Sequence, residues 1–301
     1  MNSTADQTPI LVTGGNGQLA TSLANLGGDR IDRVGRPEFD FEKPETIEAV
    51  LDAHKPSAVV NAAAWTAVDL AEKEVAGAEA ANCSGPVLLA AACAKRSIPF
   101  IHVSTDYVFA GDKGAPYVET DPVSPQTVYG RTKAEGEVKI LEADPKAIIL
   151  RTSWVYSSHG KNFVRTMINA GAKNPALKVV GDQRGNPTSS DDLAAAILDI
   201  IGLIQRSGWK DDYAGIYHAC GTGEATWHEL AVAALEDAAR HGQKMPEVTA
   251  IRTEDWPTPA KRPADSRMDN GKLDLVFGVK MPQWRESVAR TVDELFADKA
   301  N

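Results

Sequence analysis

The chain predicts an α/β fold, a doubly wound parallel (Rossmann) sheet with a smaller C-terminal substrate-binding domain. Three observations predict it. Short β-rich runs alternate with helical stretches through the first half of the chain. A glycine-rich turn, Thr13-Gly-Gly-Asn-Gly-Gln-Leu, follows the first of these runs. Further on, Tyr129 and Lys133 stand four residues apart, which puts a phenol and an ammonium on one helix face.

The elements follow in order. Ile10-Leu-Val-Thr is an apolar strand entering the glycine turn, and residues 17–26 read as a helix. Residues 31–35 and 58–63 are the second and third strands, the third ending in alanines. An alanine-rich helix is expected over 75–95, a fourth strand over 100–105, the tyrosine helix over 125–142 and a fifth strand over 148–153. Beyond about residue 155 polar, proline- and glycine-containing segments loosen this rhythm, with helices expected at 191–205, 226–241 and 286–297. Residues 1–155 are therefore expected to be mainly the dinucleotide-binding domain. Residues 156–301 should be mainly the substrate-binding domain, with segments returning to the main sheet.

Composition narrows the function. The 301 residues are 43% hydrophobic, enough for a large core and an accessory domain. A net charge of -9 argues against nucleic acid or an acidic membrane surface as the main partner. No apolar run approaches the ~20 residues of a membrane span. The N-terminal stretch has no basic or apolar signal region, so the expected location is cytoplasmic. Cys83, Cys93 and Cys220 have no metal-ligand spacing and read as buried thiols. The six histidines show no zinc-type spacing, no metal is assigned, and His102 reads as a packed core residue of the fourth strand.

Each motif has a functional and a plain reading. Gly14 and Gly17 fit a dinucleotide turn with Ala20 in the third small position, and a helix N-terminus there suits a pyrophosphate. Standing alone it is a structural turn; between a strand and a helix it reads as a cofactor site. Arg36, at the end of the second strand where an acid would select a cofactor lacking the 2′-phosphate, can bind that phosphate or lie in solvent. Asp40 and Phe41 can bracket the adenine. Ala62, Ala63 and Ala64 let a flat ligand approach the backbone, and Thr66 adds a hydroxyl. Ser104 or Thr105, with Thr105 preferred, can grip a carbonyl oxygen beside Tyr129. Tyr107 competes for the proton-donor role but has no lysine four residues on. A neighbouring cation favours the phenolate of Tyr129 and makes proton transfer usable near neutral pH. Trp154 either stacks on a sugar or base, or packs in the core.

The motifs in sequence resemble those of the extended short-chain dehydrogenases, and within them the dTDP-4-dehydrorhamnose reductases. The resemblance is carried by Asn61-Ala-Ala-Ala-Trp-Thr-Ala-Val-Asp, Ser104-Thr-Asp-Tyr-Val-Phe, Tyr129-Gly-Arg-Thr-Lys-Ala-Glu, Arg151-Thr-Ser-Trp, Asp182-Gln-Arg-Gly-Asn-Pro-Thr and Arg262-Pro-Ala-Asp-Ser, and it runs nearly end to end. It implies reduction of dTDP-6-deoxy-L-lyxo-4-hexulose at C4 to dTDP-L-rhamnose, and the missing acid together with Arg36 at the end of the second strand favours NADPH as cofactor, with NADH the alternative. It implies Thr105, Tyr129 and Lys133 as the catalytic group, and cofactor contacts from Gly17, Gln18, Leu19, Asp40, Phe41 and the alanines. Thr66, Val68, Thr105, Asp106 and Trp154 would line the sugar site, with Arg262 facing the diphosphate. Members include dimers bridged by magnesium through a glutamate of the first helix. Here Ala20-Thr-Ser-Leu has no acid, so a bridging metal is not expected and a homodimer stays open. Two rivals share the fold: a non-catalytic regulatory subunit of methionine adenosyltransferase, and nucleotide-sugar epimerases or dehydratases. Dehydratases often carry Asp-Glu after the Ser-Thr, where this chain has Asp106-Tyr107.

Overall fold

The structure is a computed structural model that describes residues 8–297. The N-terminal stretch read for a signal region lies, through residue 7, outside the described residues. Six parallel strands form the main sheet: β1 (Ile10–Thr13), β2 (Ile31–Val34), β3 (Ala58–Asn61), β4 (Phe100–Thr105), β5 (Ile148–Thr152) and β6 (Gly215–His218), in the order β6-β5-β4-β3-β1-β2. The order reverses direction between β1 and β3, and the carboxyl ends of those two strands frame the switch-point crevice where open α/β sheets bind ligands.

β1 and β3 are buried along their whole length, as expected of strands covered on both faces. Ile10, Val12, Val60 and Ile148 face helices Gln18–Gly27 and Ser190–Ser207, while Leu11, Val59 and Phe100 pack toward helices Glu45–His54 and Gly85–Lys95. Register then matters. Thr13 pairs with Asn61, and Asn61 with His102, so three polar side chains line up across neighbouring strands near their carboxyl ends.

Several expectations are corrected. The helix expected over 75–95 is broken into Val75–Glu79, a π turn over Ala80–Ser84, and Gly85–Lys95. Pro86 cannot donate the next α-helical hydrogen bond, and the wider turn sits just before it. The widened turn carries Asn82, which accepts from Trp65 N at 2.9 Å and donates to Thr132 Oγ1 at 3.2 Å, tying the alanine segment to the tyrosine helix. That helix runs Val128–Ala143, with Pro125 outside it; Thr127 caps it by accepting from Gly130 N at 3.0 Å. The sixth strand, helix Phe163–Lys173 and the parallel pair Ala176–Val180 with Glu247–Ile251 went unread in the sequence. Among the described residues, no helix is long and apolar enough to cross a membrane.

The tyrosine helix is fastened to β5 by a buried ion pair. Arg151 donates from Nε to Glu137 Oε1 at 2.9 Å and from Nη2 to Oε2 at 2.6 Å, with both side chains almost fully buried. Losing one partner strands a charge in the core at a cost of about 3–5 kcal/mol, whereas an apolar pair of similar volume is often tolerated. We predict that Glu137→Leu lowers unfolding stability in denaturant by that amount, and that Glu137→Leu with Arg151→Met recovers most of the loss. A single variant as stable as wild type would show the pair to be dispensable.

Candidate active site

One cavity of about 850 Å³ opens at the carboxyl ends of the main strands. Gly14, Gly17, Gln18, Leu19, Arg36, Asp40, Phe41, Ala62, Ala63, Ala64, Thr66, Val68, Thr105, Asp106, Tyr129, Lys133 and Trp154 all line it. Its volume is that of a site for an extended organic ligand.

The glycine turn forms one end. Gly14 has φ +106°, and a Cβ on it would come within 2.9 Å of the Ala62 backbone. Only glycine lets the two loops close on each other there. Gly17 caps helix Gln18–Gly27 without a side-chain hydrogen bond, and no acid lies in its first turn. The helix therefore presents free N–H groups and a positive end to the cavity.

Arg36 lies at the cavity wall, already engaged. Its Nε is 3.1 Å from Asp40 Oδ1 and its Nη2 is 3.4 Å from Glu42 Oε2, and the side chain is 67% exposed. A phosphate arriving there meets a guanidinium shared with two carboxylates, which weakens the recognition expected of a free arginine.

The Tyr129 end of the cavity is buried. Burial raises Tyr129 to about 12, only partly offset by the Thr105 hydroxyl, so it carries its proton at neutral pH. The Lys133 Nζ donates to Val103 O at 2.6 Å and lies 3.1 Å from His102 Nε2. Burial lowers Lys133 to about 8. Gly130 matters to this placement, since a Cβ would strike the Tyr107 carbonyl at 2.1 Å and push the tyrosine helix outward. Tyr107, at 5.4 Å between ring centroids and edge-on to Tyr129, is driven upward by burial as well.

Thr105 accepts from Tyr107 N at 3.2 Å and donates to Asp106 Oδ1 at 3.0 Å. Asp106 also accepts from Ser266 at 2.6 Å, and burial raises it to about 6. Ser104 Oγ is buried without a partner and lines the same cavity. Trp154 stacks on Trp227 with centroids 3.6 Å apart, so one face of its indole is taken, and a Cβ on Gly185 would come within 2.5 Å of the ring. Arg262 does not reach the cavity lining. It is held by Asp69 at 2.7 Å and by Ala260 O at 2.8 Å, next in sequence to Val68 on the wall.

Sequence reading missed Glu42, Thr152 and Trp227 on the wall, and the contact of His102 with Lys133. Nothing local marks Trp227. Among the described residues, no group of three or more His, Cys, Asp or Glu is placed to hold a metal ion.

A doubly wound sheet whose switch point carries an uncapped helix end, beside a buried Tyr-x-x-x-Lys pair, defines an oxidoreductase of the short-chain type. The comparisons narrow this. The family model described as RmlD substrate binding domain matches residues 8–297. A dTDP-4-dehydrorhamnose reductase of Sinorhizobium fredii is 42% identical over 94% of this chain and 96% of its own. The solved reductase of Clostridium acetobutylicum superposes with a TM-score of 0.86 at 38% identity, covering 95% of this chain and 99% of its own. That of Bacillus anthracis, solved in complex with NADP, does so at 0.86 and 31%, covering 96% and 99%. The chain belongs to the dTDP-4-dehydrorhamnose reductase family.

Tyr129 is the protonated acid with a lysine one turn on. We predict that Tyr129→Phe lowers turnover by about 10²–10⁴-fold, the usual worth of general acid catalysis, while cofactor affinity survives. Near-normal turnover would pass the role to Tyr107.

Proposed function

We infer that the chain reduces the C4 keto group of dTDP-4-dehydro-6-deoxy-L-mannose to dTDP-L-rhamnose, with NADPH as the preferred reductant. The observation that carries this is the convergence of a dinucleotide cradle and a buried acid in one cavity, in a member of the reductase family. The cradle fits the cofactor: a closed Gly14–Ala62 approach leaves no room for a side chain, and the free helix end suits a diphosphate. Gly14, Gly17, Gln18, Leu19, the three alanines, Asp40 and Phe41 would hold it. When bound, NADPH supplies the hydride that reaches the sugar C4 carbon.

The chain's own residues do the rest. Tyr129 gives its proton to the oxygen that becomes the new hydroxyl. Thr105, held by the Tyr107 N–H, grips that oxygen from a second side once its hydroxyl turns from Asp106 to the substrate. Lys133 compensates the phenolate left behind. Thr66, Val68, Asp106 and Trp154 shape the sugar pocket, and Arg262 meets the diphosphate after exchanging its hold on Asp69. Residues up to 155 act mainly as the cofactor-binding part and those beyond mainly as the substrate-binding part, in a cytoplasmic enzyme that has a nucleotide sugar as its small-molecule partner and a homodimer as its candidate assembly.

Cofactor choice follows from Arg36. Because its guanidinium is shared with Asp40 and Glu42, its net worth to a 2′-phosphate is that of an exposed pair, about 0.2–1 kcal/mol, or severalfold at most. The purified protein, mixed with the 4-keto sugar nucleotide, is expected to consume NADPH and yield dTDP-L-rhamnose by NMR, with kcat/KM a few times higher than for NADH. Arg36→Ala should bring the two cofactors level. No net cofactor consumption, or a different sugar product, would overturn the reading; a hundredfold NADPH preference would overturn the account of Arg36.

A further inference from the structure

We propose that His102 is a positioning residue for the reduction. Its ring proton is fixed on Nε2 by Asn61 and faces Lys133 Nζ, so that Lys133 gives up its own proton readily to the Tyr129 phenolate. The proposal rests on the reductase reading for its purpose, and on hydrogen-bond logic for its substance.

The logic starts at Asn61. Its Oδ1 accepts from Thr13 Oγ1 at 2.6 Å and from the Ala63 backbone N–H at 3.2 Å. Turning the amide over would set its NH₂ against the Ala63 N–H, donor against donor, even though that N–H also reaches Thr13 Oγ1 at 3.3 Å. Asn61 Nδ2 is therefore the group 2.8 Å from His102 Nδ1, and that ring nitrogen must accept. A neutral imidazole has one donor and one acceptor. The His102 proton is thus on Nε2, 3.1 Å from Lys133 Nζ.

An ammonium at that position has no lone pair to receive an N–H. A neutral amine does: it accepts from His102 Nε2 and still donates to Val103 O, 2.6 Å away. The His102 Nε2–H finds an acceptor in Lys133 only when Lys133 is neutral. All four side chains of the row Thr13–Asn61–His102–Lys133 are buried, where an unmatched donor is costly. The strand register holds the row in place, since Thr13, Asn61 and His102 are successive partners across β1, β3 and β4.

The charged and titratable groups around Lys133 are few. From β4 there is His102, which burial and then the lysine charge hold well below its ordinary value. On the same helix are Tyr129 and Glu137. Glu137 favours the ammonium but is engaged by Arg151 of β5. Burial nevertheless wins and lowers Lys133 to about 8. The step balances. Tyr129 loses its O–H proton to the sugar oxygen, the Lys133 ammonium passes one proton to the phenolate, and the neutral amine left behind takes up the Nε2–H hydrogen bond. Solvent returns the proton after product leaves.

Two substrate-free measurements test it. In ¹⁵N-histidine-labelled protein, long-range ¹H–¹⁵N spectra report which His102 nitrogen carries hydrogen, with His102→Gln assigning the signals. In protein labelled with ¹³C-lysine, the Cε signal missing from Lys133→Met reports the titration of Lys133. The expected results are an Nε2–H tautomer and a Lys133 midpoint well below that of the other lysines. Asn61→Asp should move the proton to Nδ1, turn an Nε2 lone pair toward Lys133, and raise its midpoint by a pH unit or more. The alkaline limb of kcat/KM should rise with it. An Nδ1–H tautomer in wild type overturns the proposal, as does an Asn61→Asp variant whose tautomer switches while the Lys133 midpoint stays. If that variant does not fold, the wild-type tautomer and midpoint decide alone. A protein without turnover leaves these NMR results intact, so failure of the reductase reading is told apart from failure of this one.

Discussion

The burial of the Lys133 side chain at the carboxyl end of a parallel sheet is the constraint on which the site depends. Taking an ammonium out of water costs several kcal/mol unless partners replace the solvent. Here the Val103 carbonyl supplies one, and Glu137, one helical turn on, supplies a counter-charge. Glu137 is itself buried and is held by Arg151, whose guanidinium lies 5.0 Å from the Phe109 ring centroid. The same helix thus carries Tyr129, Lys133 and the Glu137 half of the ion pair that fastens it to β5. A change meant to loosen the helix also disturbs the chemistry. Gly130 and Asn82 set how closely that helix approaches its neighbours.

What was legible in the sequence was local. A glycine with positive φ, the four-residue spacing of Tyr129 and Lys133, a threonine cap and apolar strand runs are decided within a few residues. The relation between the glycine turn and the alanine segment was also readable, because both follow strand ends that a doubly wound sheet brings together. The π turn had its warning in Gly85-Pro86, within a stretch whose alanines argued for a continuous helix.

The rest was set by pairing between distant parts of the chain. β6 is only four residues long and includes a glycine and a histidine, so its place at the sheet edge comes from pairing with β5. His102 read as core packing because a lone histidine on a buried strand usually is. Its contact with Lys133 depends on the β3–β4 register and on a helix 31 residues away in sequence. Trp227 joins the cavity wall through tertiary packing, stacked on Trp154. Arg36 and Arg262 were read as cations awaiting anions, and both have acquired acidic partners, Asp40 with Glu42 and Asp69. A sequence shows that a charge is present but not which neighbours have already claimed it.

The central claim is that Tyr129 protonates the sugar oxygen inside the one cavity that also holds the nicotinamide cofactor. A crystal structure with NADP and dTDP-L-rhamnose tests it most directly. The account predicts the sugar C4 hydroxyl within hydrogen-bond reach of the Tyr129 hydroxyl, about 2.6–3.2 Å, with the pyrophosphate on the free N–H groups at Gln18 and Leu19. A sugar whose C4 hydroxyl points to Tyr107 or to solvent, or a pyrophosphate bound away from that helix end, would contradict it.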